Sequence, residues 1–171
     1  MVDSAGEMVA HYDAAGRVVG RVRRADMREH GLWHAATLVL VLSGDGSRAY
    51  VHRRSPDKDV FPGLYDCWAG GVVAAGESPA EGAERELAEE LGVHDVALRP
   101  LFTFTFDRPP VRCHYFAYQT QWDGPVVHQP EEIVDGRWMP LDELRAFAED
   151  PESPFVPDGR HAIREWFSRS G

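Results

Sequence analysis

Hydrophobic residues fall into short runs separated by glycine, proline and aspartate, and helix and strand signals intermix along the whole chain. Residues 9–12 and 17–22 flank the turn-like Asp13-Ala14-Ala15-Gly16 and predict a β-hairpin over 9–22. A short helix is expected over 25–30. The nearly continuous apolar run 35–42, the turn Gly44-Asp45-Gly46-Ser47 and residues 48–53 predict two buried strands. Residues 55–66, with Pro56, Pro62 and Gly63, read as a loop. Strands are expected over 96–106 and 111–121, joined through Asp107-Arg108-Pro109-Pro110, and over 137–140 after a polar loop at 123–132. A helix is expected over 142–149. Asp158 is placed to cap a last helix over 158–169, with Ile163, Trp166 and Phe167 on its inner face. The order of elements suits an α/β sandwich around a mixed β-sheet.

Between the strands lies a helix with clear punctuation. Ser78 stands at the N-cap, Pro79 at the first helical position and Glu81 three residues on, which makes a capping box, while Gly92 suits a left-handed closing residue. At about 100° per residue, Ala80, Ala83, Leu87 and Leu91 form the stripe that packs on the sheet. Glu86, Glu89 and Glu90 fill the adjoining arc, with Gly82 among them leaving room for a ligand. Carboxylates three and four apart repel by on the order of 0.2–0.5 kcal/mol per pair. Arg85, in reach of Glu81 and Glu89, cannot neutralise them all. A hard divalent cation, which prefers oxygen ligands, can. A solvated acidic face is the plain alternative for a lone E-x-x-E-E. The surroundings weigh against it: Gly70-Gly71 permits a turn whose carbonyls face a metal, Glu77 stands at the loop exit, and Arg85 is placed to orient carboxylates.

Length and charge narrow the class. The 171 residues, 43% of them hydrophobic, suffice for one domain over 1–171. A net charge of −10 argues against nucleic acid as a partner, yet allows a phosphate substrate bridged by a metal. Cys67 and Cys113 show neither a C-x-x-C pattern nor zinc-finger spacing and are expected as reduced thiols. No apolar run approaches the roughly 20 residues of a membrane span, and residues 1–16 lack a signal-peptide layout, so a cytoplasmic protein without a membrane partner is expected.

Gly71, Glu77, Arg85, Glu86, Glu89, Glu90 and Gly92, with Leu87 and Val93 at apolar positions, fit the pattern G-x5-E-x7-R-E-U-x-E-E-x-G-U, where U is bulky and apolar. Over residues 71–93 the chain thus resembles the Nudix hydrolases. The resemblance implies a Nudix-type α/β/α sandwich, Mg²⁺ or Mn²⁺ as cofactor, and cleavage of a diphosphate linked to another group. It implies metal ligation by Glu86, Glu89 and Glu90 with the carbonyl of Gly71, and catalytic roles for Arg85, Glu86 and Glu89, with Arg85 and Glu77 holding the ligands in place. From a loop beyond the motif it implies Glu131 or Glu132 as base or further ligand, and Glu132 is carried forward.

Over about residues 21–138 the chain is also similar to isopentenyl diphosphate isomerase, through His34, Arg53-Arg54, Lys58 and Phe61-Pro62-Gly63. That likeness implies diphosphate binding by Arg54 and Lys58. It departs at Gly70, where the isomerases carry their catalytic cysteine, and at Met27, Val72, Pro109 and Val111, which leave His34 alone of a structural metal set. Cys67 is three residues off register and reads as a buried strand thiol. Trp33, Trp68, Phe104 and Phe106 flank the expected site, and a nucleobase stacks on such rings for about 1–3 kcal/mol. The expected partner is a small-molecule diphosphate, a nucleoside di- or triphosphate first. Nucleotide sugars, dinucleotide cofactors and prenyl diphosphates stay open, as do an isomerase and a non-catalytic nucleotide-binding module.

Overall fold

In a computed structural model that describes residues 4–170, the chain runs β1 (Met8–Tyr12), β2 (Val18–Arg23), α1 (Arg24–His30), β3 (His34–Leu42), β4 (Arg48–Arg54), β5 (Tyr65–Asp66) and β6 (Trp68–Ala69). It continues with α2 (Pro79–Leu91), β7 (Arg99–Arg108), β8 (Val111–Gln121), β9 (Ile133–Pro140), α3 (Leu141–Glu149) and α4 (Pro157–Ser170). Residues 1–3 and 171 of the expected 1–171 span lie outside the described residues.

Strand β3 is buried at every position, and a strand without a solvent face must be covered on both sides. Leu38, Leu40 and Leu42, with Ala49 and Val51 of β4, meet Leu144 and Ala148 of α3 and Ile163 and Trp166 of α4. Val39 and Val41 turn the other way, onto Ala83, Leu87 and Leu91 of α2. A mixed sheet between helical layers results, the α/β/α sandwich expected. Its parallel ladder joins β3 to β8 from His34↔Cys113 to Leu42↔Gln121, and the other ladders between these strands are antiparallel.

Strands β3 and β4 share only the pair Leu42↔Ala49 before they part. The gap is filled by one segment, of which Tyr65–Asp66 pairs with β4 and Trp68–Ala69 with β3. Tyr65 and Asp66 therefore leave the loop expected over 55–66. Strand β9 starts at Ile133, earlier than expected, and its Val134-Asp135-Gly136 reads as polar because it pairs with β4 alone and turns exposed positions to solvent. Helix α4 begins at Pro157, which puts Asp158 inside the first turn and corrects its reading as the cap. Its carboxylate accepts instead from the Tyr115 hydroxyl and the Gly159 N–H. The β1–β2 hairpin braces the loop before α2, where Ala10 N–H donates to Val73 O at 3.2 Å and Ala75 N–H to Met8 O at 3.0 Å.

Candidate functional site

Helix α2 starts and stops as its sequence dictates. Ser78 Oγ accepts from Glu81 N–H at 3.2 Å, and Gly92 closes the helix at φ 66°. Its roll on the sheet differs from the expected stripe. Ala80 is exposed, and the buried line is Gly82, Ala83, Leu87, Glu90 and Leu91, so Glu86 and Glu90 turn inward against the Gly70–Gly71 turn while Glu89 stays exposed. The room at Gly82 is taken from within the chain, since a Cβ there would stand 2.8 Å from Glu77 Oε1.

Arg85 is the hub. Its Nε and Nη2 grip the two oxygens of Glu77 at 2.7 and 3.0 Å, and Nη1 reaches Glu86 at 3.0 Å and Glu89 at 3.3 Å. Glu81, expected within its reach, is not among these partners. Glu77 also accepts from Ala74 N–H at 3.1 Å, and the hydrogen bonds from Arg85 hold its carboxyl below the usual range. One planar cation thus ties the loop to the helix in a way a point charge cannot.

Glu86 and Glu90 are differently placed. Glu90 is only 5% exposed, and its Oε2 accepts from Gly70 N–H at 3.3 Å. A Cβ at Gly71 would stand 2.6 Å from Glu86 Oε1, so glycine there lets the carboxylate press against the backbone. Burial pushes both carboxyls up; mutual repulsion adds to it at Glu90, and Arg85 offsets part of it at Glu86. The Gly71 carbonyl already accepts from Thr37 N–H at 3.0 Å, which leaves it one lone pair.

Facing α2 from β4 and the loop behind it are Arg54 and Lys58, whose charges both act on Glu90. Arg54 is steadied by Phe61 O at 3.2 Å and Val60 O at 2.8 Å, and Lys58 is ion-paired with Glu132. Glu131 is exposed. The aromatic wall is largely absent from this cleft. Trp68 is 2% exposed with its indole N–H on Gly159 O, and Phe106 is likewise core. Phe104 stacks on Tyr115 with ring centroids 5.0 Å apart, and Trp33 packs on His114 at 4.7 Å beneath the hairpin. His34 is a core residue bonded to Leu32 O.

Two residues here escaped sequence reasoning. His52 is buried on β4, and burial with the charges of Arg54, His128 and Lys58 lowers its pKa to about 3. Thr37 stands inside the apolar run of β3, and its Oγ1 is buried with no hydrogen-bond partner. A polar residue within an apolar strand was the available signal for Thr37, whereas β4, with three arginines, gave none for His52.

A divalent cation fits this chemistry. The inward donors are carboxylate and carbonyl oxygens, Thr37 offers an orphaned hydroxyl beside them, and Gly71 clears the space next to Glu86. On α1, Asp26, Glu29 and His30 have ligand atoms within 4.8 Å of one another, an approach that Glu86, Glu89 and Glu90 do not match in this structure. The α1 group lies at the surface, and Asp26 is already held by Arg23 at 2.8 Å.

A sandwich whose loop-helix-loop buries clustered carboxylates opposite an arginine and a lysine is the framework of a phosphoanhydride hydrolase. The chain belongs to the Nudix family, since the NUDIX domain family model matches residues 32–159. An uncharacterized Nudix hydrolase of Rhodococcus erythropolis is 46% identical over 174 residues, covering 96% of this chain and 94% of that one. Another, from Pseudomonas aeruginosa, is 38% identical and covers 94% of each. The crystal structure of DR0079 from Deinococcus radiodurans is similar with a TM-score of 0.77 and 26% identity over 92% of this chain and 98% of that one. The protein is a Nudix pyrophosphohydrolase. No described helix is long and apolar enough to cross a membrane.

Proposed function

We propose that the chain, as one domain over 1–171, is a Mg²⁺-dependent hydrolase, with Mn²⁺ as a substitute, that cleaves the diphosphate bond of a nucleoside di- or triphosphate or a related nucleoside diphosphate derivative. The observation that carries this reading is buried Glu90 set beside half-buried Glu86 against Gly70–Gly71, where Arg85 reaches Glu86 and no cationic side chain among the described residues is hydrogen-bonded to Glu90. Glu86, Glu89 and Glu90, with the Gly71 carbonyl, would hold the cation, while Arg85 and Glu77 keep the carboxylates aimed. When bound, the cation supplies charge to the phosphate oxygens and acidifies a water. Arg54 and Lys58 bind the diphosphate as fork and point donors. A diphosphate that takes Lys58 frees Glu132 from its ion pair, and the released carboxylate accepts the proton of the attacking water.

The isomerase alternative lacks acid–base groups for carbon. Gly70 and Val72 carry none, and Cys67 is 2% exposed with its thiol pushed up by burial. Phosphate release with Mg²⁺ across nucleoside di- and triphosphates, nucleotide sugars, dinucleotides and prenyl diphosphates tests the reading. Nucleotides are expected to be cleaved. Release from prenyl diphosphates alone would remove the substrate class, and release from none would leave a binding module.

A second expectation follows from the raised carboxyls. Unfolded glutamates lose their protons near pH 4.3, whereas Glu86 and Glu90 keep theirs to higher pH. Without a cation, this pair makes the unfolded state the weaker proton binder, so its contribution to stability falls as pH climbs from about 4.3 through neutrality. A cation displaces those protons. The gain in melting temperature on adding Mn²⁺ therefore grows across that interval, and a gain independent of pH would place the cation elsewhere.

A further inference from the structure

Among the described residues, Thr37 Oγ1 is the buried side-chain polar atom left without a hydrogen-bond partner. The residue is 1% exposed, and an unmade hydrogen bond in a dry interior is a standing cost that valine, of the same shape, does not carry. The surroundings of this hydroxyl are specific. Its own N–H donates to Gly71 O at 3.0 Å. A Cβ on Gly70 would stand 3.1 Å from Oγ1 and would overlap the Thr37 carbonyl, so the glycine turn lies directly on the threonine. On the other side, Thr37 Cγ2 is 3.7 Å from where a Cβ of Gly82 would be, and Gly82, Glu86 and Glu90 follow one another at helical spacing down the same face of α2.

The glycine turn beside the hydroxyl bears on both Glu90 and Glu86. Gly70 N–H donates to Glu90 Oε2, and the Gly71 α-carbon faces the Glu86 carboxylate. The absent partner must be small and polar, and it stands at a turn that also bears on those two carboxylates. A free water answers the first two conditions; a water in the shell of a cation answers all three. We infer that Thr37 is a positioning residue of the cation site, its hydroxyl hydrogen-bonding a water that a divalent cation holds between Glu86 and Glu90. The inference rests on the proposed reading for the place of the cation and not for the identity of the substrate.

Thr37→Val and Thr37→Ser in the full chain test it with three readouts: melting temperature in chelator, Mn²⁺ affinity by calorimetric titration, and phosphate release. For Thr37→Val the melting temperature in chelator is expected to hold or rise, while Mn²⁺ affinity falls by about tenfold or more, the usual effect of losing a partner of the coordination shell. Thr37→Ser, which keeps the hydroxyl, is expected to retain affinity within about threefold. Unchanged Mn²⁺ affinity in Thr37→Val would overturn the inference. So would a parallel fall of melting temperature and affinity in both variants, which marks a packing role, or a parent chain that binds no Mn²⁺. A parent that binds Mn²⁺ but releases phosphate from no substrate defeats the hydrolase reading and leaves Thr37 to be judged on affinity alone.

Discussion

Glu90→Gln is expected to lower turnover by at least about a thousandfold, some 4 kcal/mol of barrier, while the melting temperature in chelator holds or rises. The two halves of this outcome share one cause. Without a cation, burial and the charge of Glu86 keep Glu90 protonated well above its usual range. A neutral amide is then close to the resident group in shape and charge, and it can still accept from Gly70 N–H. With a cation the two diverge, because an amide contributes a weak dipole where the carboxylate contributes a full charge. Steady-state phosphate release and a thermal scan in chelator suffice. Turnover within a few-fold of the parent would remove Glu90 from the site, and a collapsed melting temperature would make it a structural residue first.

Arg85→Ala should produce the largest loss of stability among the charged residues of the motif, about 3 kcal/mol, at the low end for breaking a buried pair because the side chain is partly exposed. The arginine makes four short contacts to three carboxylates, and two of those, Glu77 and Glu86, are largely withdrawn from water. Removing it leaves like charges facing each other with no counter-ion, and it unties the 74–77 loop from the helix. Arg85→Lys should recover only part of the loss, since an ammonium cannot bridge both oxygens of Glu77 and also reach Glu86. Urea unfolding of both variants measures this, and a loss under about 1 kcal/mol for the alanine would mean that solvent screens the cluster already.

The α2 segment was legible because each of its signals is local. Ser78, Pro79 and Gly92 act within one turn of themselves, and the spacing of Glu86, Glu89 and Glu90 survives any docking of the helix. The roll of α2 was not legible. Whether Ala80 or Glu90 is buried depends on the glycine turn and Thr37, which lie in other elements and meet the helix only in the fold. The same limit explains the aromatics, since Trp68 and Phe106 look alike in sequence whether they line a cleft or fill the core, and packing against α4 and β8 put them inside. Strand β9 was read too short because a strand paired on one side keeps polar residues that a central strand loses. Arg54 and Lys58 were found through a resemblance and not through spacing, as a loop cation carries no periodic signal. His52 was passed over for another reason: one histidine within a strand is unremarkable until the fold is seen to bury it among the charges of Arg54, His128 and Lys58.

The parting of β3 and β4 after Leu42↔Ala49 has a mechanical consequence. The carboxylate side of the cleft leans on β3 through Thr37 and the glycine turn, whereas Arg54 belongs to β4 and to the half-sheet it forms with β5 and β9. A ligand gripped at one end by the cation and at the other by Arg54 acts as a clasp across this seam. Occupancy of the cleft and rigidity of the whole molecule then become a single quantity, so a good substrate should announce itself as a stiffer, slower-exchanging protein before any bond is broken.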